Sequence, residues 1–143
     1  MNGADARAYL LSLTGAHEDY PFGPDVAVMK IGQRMFATLS NGPAPGAPAF
    51  RSQVSRDEKS ADSKASVYRM NLKCDPHEAD MLRDMFTAIV PGYHMNKRHW
   101  NTVYLDGSIP RGEIERMIDS SRALVVAGLT RRERQALGLE LSS

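Results

Sequence analysis

Apolar residues recur at two periods along this chain, and the changes between them outline its elements. Near the start, Ala6, Tyr9, Leu10 and Leu13 follow the i, i+3, i+4, i+7 spacing of one helical face. Asn2 or Asp5 can cap that helix and Gly15 can stop it. Residues 17–24, HEDYPFGP, hold two prolines and a glycine and cannot continue it. Two strand-like runs follow, Asp25–Ile31 and Arg34–Ser40. The glycine-led pair Gly32-Gln33 between them predicts a tight type II′ hairpin. Ser66–Lys73 alternates cleanly, with Tyr68, Met70 and Leu72 on one face and Val67, Arg69, Asn71 and Lys73 on the other.

Asp75 then caps a second helix, with Pro76 at its first position and Glu78 three residues after the cap. Its predicted buried stripe is Ala79, Leu82, Met85 and Phe86, and it should end before Pro91-Gly92. A further alternating run, His99–Leu105, reads as a strand, and Asp106-Gly107 turns the chain. Ile109-Pro110 leads into a long helix with Ile114, Met117, Ile118, Ser121, Leu124 and Val125 on one face, closed by Gly128. A short basic helix over Thr130–Leu137, burying Leu129, Ala136 and Leu137, finishes the chain. Residues 41–65 differ in kind. Three prolines, two glycines and a mixed charged stretch offer little to bury, so they read as a mobile insertion between two strands.

One apolar face per element predicts an α+β fold of two layers, with helices on one face of an antiparallel sheet and an α-β-β-β-α-β-β-α order. The 143 residues suit a single domain, 1–143. Hydrophobic content of 42% and charged content of 24% are those of ordinary globular chains and give no sign of a disordered or fibrous one. No apolar run reaches the ~18–20 residues of a spanning helix, so no membrane partner is expected. The opening MNGADARAYLLSL has no basic region ahead of its apolar stretch, which argues against a secretory signal. Cys74 is alone, so no intrachain disulfide can form and a reducing, cytoplasmic setting is expected.

The net charge of +1 is modest, but its distribution is uneven. Residues 30–73 carry eight basic residues against Asp57, Glu58 and Asp62, a net of +5. Residues 75–92 carry Arg83 against Asp75, Glu78, Asp80 and Asp84, a net of −3. Positive charge therefore concentrates in strands and loops, negative charge in helices.

The segment from Tyr93 to Pro110, YHMNKRHWNTVYLDGSIP, closely resembles the signature of the MmcQ/YjbR-like family. There a His-x-Asn-Lys-x-His-Trp stretch leads into a strand ending Tyr-Leu-Asp-Gly. HEDYPFGPDVAVMKIGQRMFATLS and NLKCDPHEADMLRDMF extend the resemblance over roughly residues 15–137, apart from the insertion, which is longer than the family's usual link. The resemblance implies a double-wing-like architecture, and relatives are described on that basis as DNA-binding. A shared fold does not by itself fix function.

Asn96, Lys97, Arg98, His99 and Trp100 form the first candidate site. In one reading Lys97 and Arg98 meet phosphates, Asn96 and His99 hydrogen-bond, and Trp100 stacks on a base. In the other the loop is clamped to the domain, Trp100 fills the sheet–helix interface, and Asn96 and His99 bond the turn's backbone. The second candidate is the sheet face opposite the helices, where Arg69, Asn71, Lys73, Trp100, Thr102 and Tyr104 would point outward. That face is either a basic, aromatic nucleic-acid platform or an ordinary solvated surface. Arg131-Arg132-Glu133-Arg134 can extend a phosphate footprint or simply solvate a helix.

Metal binding lacks a ligand pattern: of His17, His77, His94 and His99 only the last two are close, and Cys74 is far from any zinc-like pair. Cys74 sits beside a helix cap, where a lowered thiol pKa is conceivable, although packing is the commoner role. No glycine-rich phosphate loop, carboxylate pair or nucleophile elbow occurs. The expectation is therefore a non-enzymatic, cofactor-free DNA-binding or nucleoid-accessory module that binds weakly and salt-dependently. The alternative is a protein- or ligand-binding adaptor using the same surface.

Overall fold

The structure is a computed structural model and describes residues 1–43, 66–92 and 95–139. In chain order the elements are α1 (Gly3–Ser12), β1 (Ala16–Asp19), β2 (Val26–Ile31), β3 (Arg34–Pro43), β4 (Ser66–Lys73), α2 (Pro76–Met85), β5 (Ile89–Pro91), β6 (Trp100–Tyr104), α3 (Arg111–Gly128) and α4 (Arg131–Ala136). The strands form one antiparallel sheet in the order β1-β2-β3-β4-β6-β5, with the helices packed on one face: the α+β, two-layer fold that the patterning implies.

Local chemistry sets most boundaries. Asn2 caps α1 by accepting from the Asp5 N–H at 2.7 Å while Asp5 reaches back to the Asn2 N–H, a reciprocal capping box. The Asp75 carboxylate accepts from the His77 and Glu78 N–H groups, and Pro76 fits the first turn because its missing N–H would have had no helical partner. Gly32 takes a positive φ of 62° in the two-residue link that pairs Ile31 with Arg34.

Several expectations need correction. Ala16–Asp19 is an edge strand inside the segment read as irregular. Asn41–Pro43, assigned to the insertion, continue β3 and pair with Tyr68, Val67 and Ser66; residues 44–65 lie outside those described. α2 ends at Met85, because Phe86 turns extended (φ −129°, ψ 122°) and Ile89–Pro91 pair with β6 as β5. Met85 is exposed, as is Leu124 on α3, where Val126 is buried instead. Around α4, Leu129 and Leu139 are buried, whereas Ala136 and Leu137 are not.

Register divides the sheet cleanly. Ala37, Leu39, Met70, Leu72 and Val103 share the helix-facing side with Ala27 and Met29. A bulge between Met29 and Lys30 leaves Phe36 as the extra residue of β3, and its side chain is fully buried in the core. Ser121 of α3 answers the broken ladder. Its hydroxyl donates to the Phe36 carbonyl at 2.5 Å and accepts from the Lys73 N–H at 2.9 Å, replacing the direct β3–β4 bond at that position. Arg7 of α1 forks onto Glu18 of β1 at 2.7 and 2.8 Å, and Arg116 of α3 joins Glu78 of α2 at 2.6 Å.

Ser121 is fully buried, so Ser121→Ala leaves a carbonyl and an N–H without a partner. Urea denaturation should show a loss of about 3 kcal/mol. A loss below roughly 0.5 kcal/mol would mean that β3 and β4 close directly across the gap.

Candidate functional site

Arg83 organises the segment between β5 and β6. It lies four residues after Ala79, in the row of Leu82 and Phe86, so α2 carries its guanidinium toward the sheet. Nε donates to Asn101 Oδ1 at 2.7 Å, Nη1 to Asp80 at 3.3 Å, and Nη2 to the carbonyls of Lys97 and, at 3.3 Å, Trp100. Asn101 is itself buried and donates to the Ala79 carbonyl at 3.4 Å. The Gly92 N–H donates to the Trp100 carbonyl at 2.9 Å. That approach needs glycine, since a Cβ at position 92 would sit 2.8 Å from the Trp100 Cβ.

Within this frame the sequence-derived residues separate. Asn96 serves the turn: its Oδ1 accepts from the Arg98 N–H at 3.0 Å, and its carbonyl accepts from the His99 N–H at 3.2 Å. The His99 carbonyl accepts from the Cys74 N–H at 2.7 Å, fastening the turn to the end of β4. Lys97 is exposed but folds its ammonium back onto the Gly92 carbonyl at 3.1 Å. The Arg98 side chain is exposed, with no partner among the described residues.

Trp100 is half-buried and pairs with Lys73 on the sheet face opposite the helices, not in the sheet–helix interface. Arg69 pairs with Tyr104 on the same face, but four residues from Lys73, about 13 Å at the rise of a strand. The structure thus gathers Lys73 with Asn96–Trp100 and leaves Arg69 apart.

The opposite face is neither the solvated surface nor the continuous platform expected. Its centre is buried: Thr102 is 0% exposed, Val28 1% and Thr38 6%. Thr102 Oγ1 donates to Asn71 Oδ1 at 2.5 Å, a polar pair across the centre of that face.

Positive charge instead converges at one end of the sheet. Register places the β2–β3 hairpin, the end of β4 and the start of β6 at the same end, and Leu137 next to α4 lies against Gly32 there. Arg34, Lys73, Lys97 and Arg98 lie at this end, the last two in the turn that leads into β6. Arg7, Lys30, Arg111 and Arg116, by contrast, are matched to carboxylates. A groove of about 360 Å³ opens between the first turns of α2 and the Asn96–His99 turn, lined by Pro76, His77, Asp80, Arg83, Lys97 and Arg98. Arg83 and His77 escaped the sequence reading. The readable signal was Arg83 itself, an ionisable residue in the i, i+3, i+4, i+7 row Ala79, Leu82, Arg83, Phe86.

Cys74 is buried at the β4–α2 junction. Burial, then the carboxylates of Glu78 and Asp75, push its thiol up to about 11, the reverse of an activated helix-start thiolate. Among the described residues no group of three or more His, Cys, Asp or Glu could hold a metal, and no helix is long and apolar enough to cross a membrane.

Residues 11–124 match the family described as YjbR. The chain belongs to the YjbR family. YbdF of Escherichia coli O157:H7, named as an uncharacterized protein, is 32% identical over 130 residues, covering 91% of this chain and 88% of that one. YjbR of Escherichia coli K12 is 40% identical over 68 residues, covering 48% and 58% respectively. The crystal structure of Deinococcus radiodurans protein DR2400, a DUF419 domain, superposes with a TM-score of 0.75 at 31% identity, covering 99% of this chain and 91% of that one. The family match runs from the end of α1 through all six strands and α2 into α3.

Two measurements test this description. Arg83→Met keeps the aliphatic stem but removes every donor, so amide exchange at Gly92 and His99 should accelerate by at least tenfold while the β3 amides stay protected. Equal protection in both proteins would show that the turn holds itself. The Cys74 thiol should alkylate slowly at neutral pH, its rate still climbing tenfold per pH unit above pH 9. Because its folded pKa is raised from 9.0 to about 11, the associated stability is complete below pH 9 and is lost as pH rises toward 11. Cys74→Ala should lack that part of the alkaline decline, and identical declines would contradict the shift.

Proposed function

We propose that this YjbR-family chain is a non-enzymatic nucleic-acid-binding module that contacts DNA phosphates through the basic end of its sheet. The observation that carries this reading is the placement of Lys73 and Arg98 at that end, without carboxylate partners among the described residues, while Arg7, Lys30, Arg111 and Arg116 are paired. Trp100 beside Lys73 supplies an aromatic edge for stacking. Neutralising only a few phosphates gives weak, strongly salt-dependent binding, as befits an accessory rather than a dedicated repressor. The raised pKa of Cys74 speaks against thiolate chemistry, and its free thiol suits a reducing, cytoplasmic setting.

A protein adaptor is the second reading, favoured by one feature: Met81 and Met85, one turn apart on α2, are 60% and 64% exposed. Exposed thioethers are adaptable contact groups.

A salt titration of duplex and single-stranded DNA binding discriminates between the two. Lys73→Ala combined with Arg98→Ala should lower the slope of log affinity against log salt by about 1.8 in magnitude. Lys97→Ala alone should do less, because its ammonium is held by Gly92. Absence of binding at ~50 mM salt, or a slope indifferent to the double substitution, would sink the DNA reading and favour the adaptor.

A further inference from the structure

We propose that the groove between α2 and the Asn96–His99 turn is a site for a terminal phosphate monoester. Its charged lining is Arg83, Lys97 and Arg98 against Asp80, with His77 as a further donor. The one carboxylate is already engaged by Arg83 at 3.3 Å. The helix start itself has nothing to give: Asp75 takes the N–H groups of His77 and Glu78, and Pro76 has none. Recognition therefore falls to side chains. Those of His77 and Arg98 have no partner among the described residues, and Lys97 keeps N–H groups beyond the one on Gly92.

Charge density selects the ligand. A phosphate monoester carries about −1.5 to −2 at neutral pH on three terminal oxygens, whereas an internal phosphodiester carries a single charge on two. Several cations converging on one groove match the former. The volume, about 360 Å³, lies at the small end of ligand pockets and suits a phosphate with its attached sugar rather than a duplex. Arg83 and the Gly92–Trp100 contact hold the turn before any ligand arrives, so little ordering cost falls on binding. The monoester could be the 5′ end of a nucleic acid, which rests on the reading above, or a free nucleoside monophosphate, which does not.

The test uses the full chain with three probes: a short single strand bearing a 5′-phosphate, the same strand with a 5′-hydroxyl, and adenosine monophosphate. Anisotropy should show the phosphorylated strand binding about tenfold more tightly. His77→Gln with Arg98→Gln, both exposed positions, should erase that difference while circular dichroism is unchanged. Adenosine monophosphate should shift the His77 imidazole resonances in the wild type and, if the free ligand is the source, do so without either strand binding. That last outcome would keep the groove site while overturning the DNA reading. Equal binding of the two strands with no shift from adenosine monophosphate would overturn the groove site, and the DNA reading would survive if the Lys73→Ala, Arg98→Ala pair still lowered the salt slope.

Discussion

The Ser121 hydroxyl keys the helix layer to the sheet. A bulge in β3 turns Phe36 into the core, and its carbonyl and the Lys73 amide both bond the Ser121 hydroxyl. One small side chain that can donate and accept at once serves both groups, and it comes from the middle of α3. Packing of Ile114, Met117, Ile118 and Val125 over β3 and β4 is non-directional, so it would tolerate a small slide of the helix. The two hydrogen bonds would not, and they fix where β4 ends. The end of β4 fixes Lys73, the entry into α2 and, through the Cys74–His99 bond, the turn before β6.

From there the turn is shaped from α2. Arg83 takes the Lys97 carbonyl and shares the Trp100 carbonyl with the Gly92 N–H, and its own charge is balanced by Asp80. The result is a turn held from α2, with the Arg98 side chain facing solvent. Most other basic side chains stitch element to element: Arg7 joins α1 to β1, and Arg116 joins α2 to α3. A net charge of +1 thus conceals two populations of cations, those spent on the fold and those gathered at one end of the sheet.

Much of this was legible in residue order because the strongest local signals agree with the tertiary structure. β4 alternates because it is central, with one side on the core, and α2 starts where Asp75-Pro76 says it must. The misses share a physical cause. β1 is a polar edge strand whose Glu18 faces an arginine rather than a hydrophobe, and β5 is three residues long, too short for any period to show. Met85 and Leu124 kept helical spacing at positions left exposed among the described residues. The roles of Asn96 and Lys97 were readable as residue types but not as directions. Only the fold shows that Lys97 turns back on Gly92 while Arg98 does not. The buried centre of the opposite sheet face was invisible to alternation, which reports sidedness and not cover.

The way the sheet stops has its own consequence. β5, its last strand, offers only three residues, and Pro91 lacks the N–H that a newcomer's carbonyl would need. The far edge, β1, is four residues long and carries His17, Glu18 and Asp19. Neither border gives another chain a long row of free amides and carbonyls on which to template an added strand. Growth of the sheet from molecule to molecule is therefore discouraged at both sides.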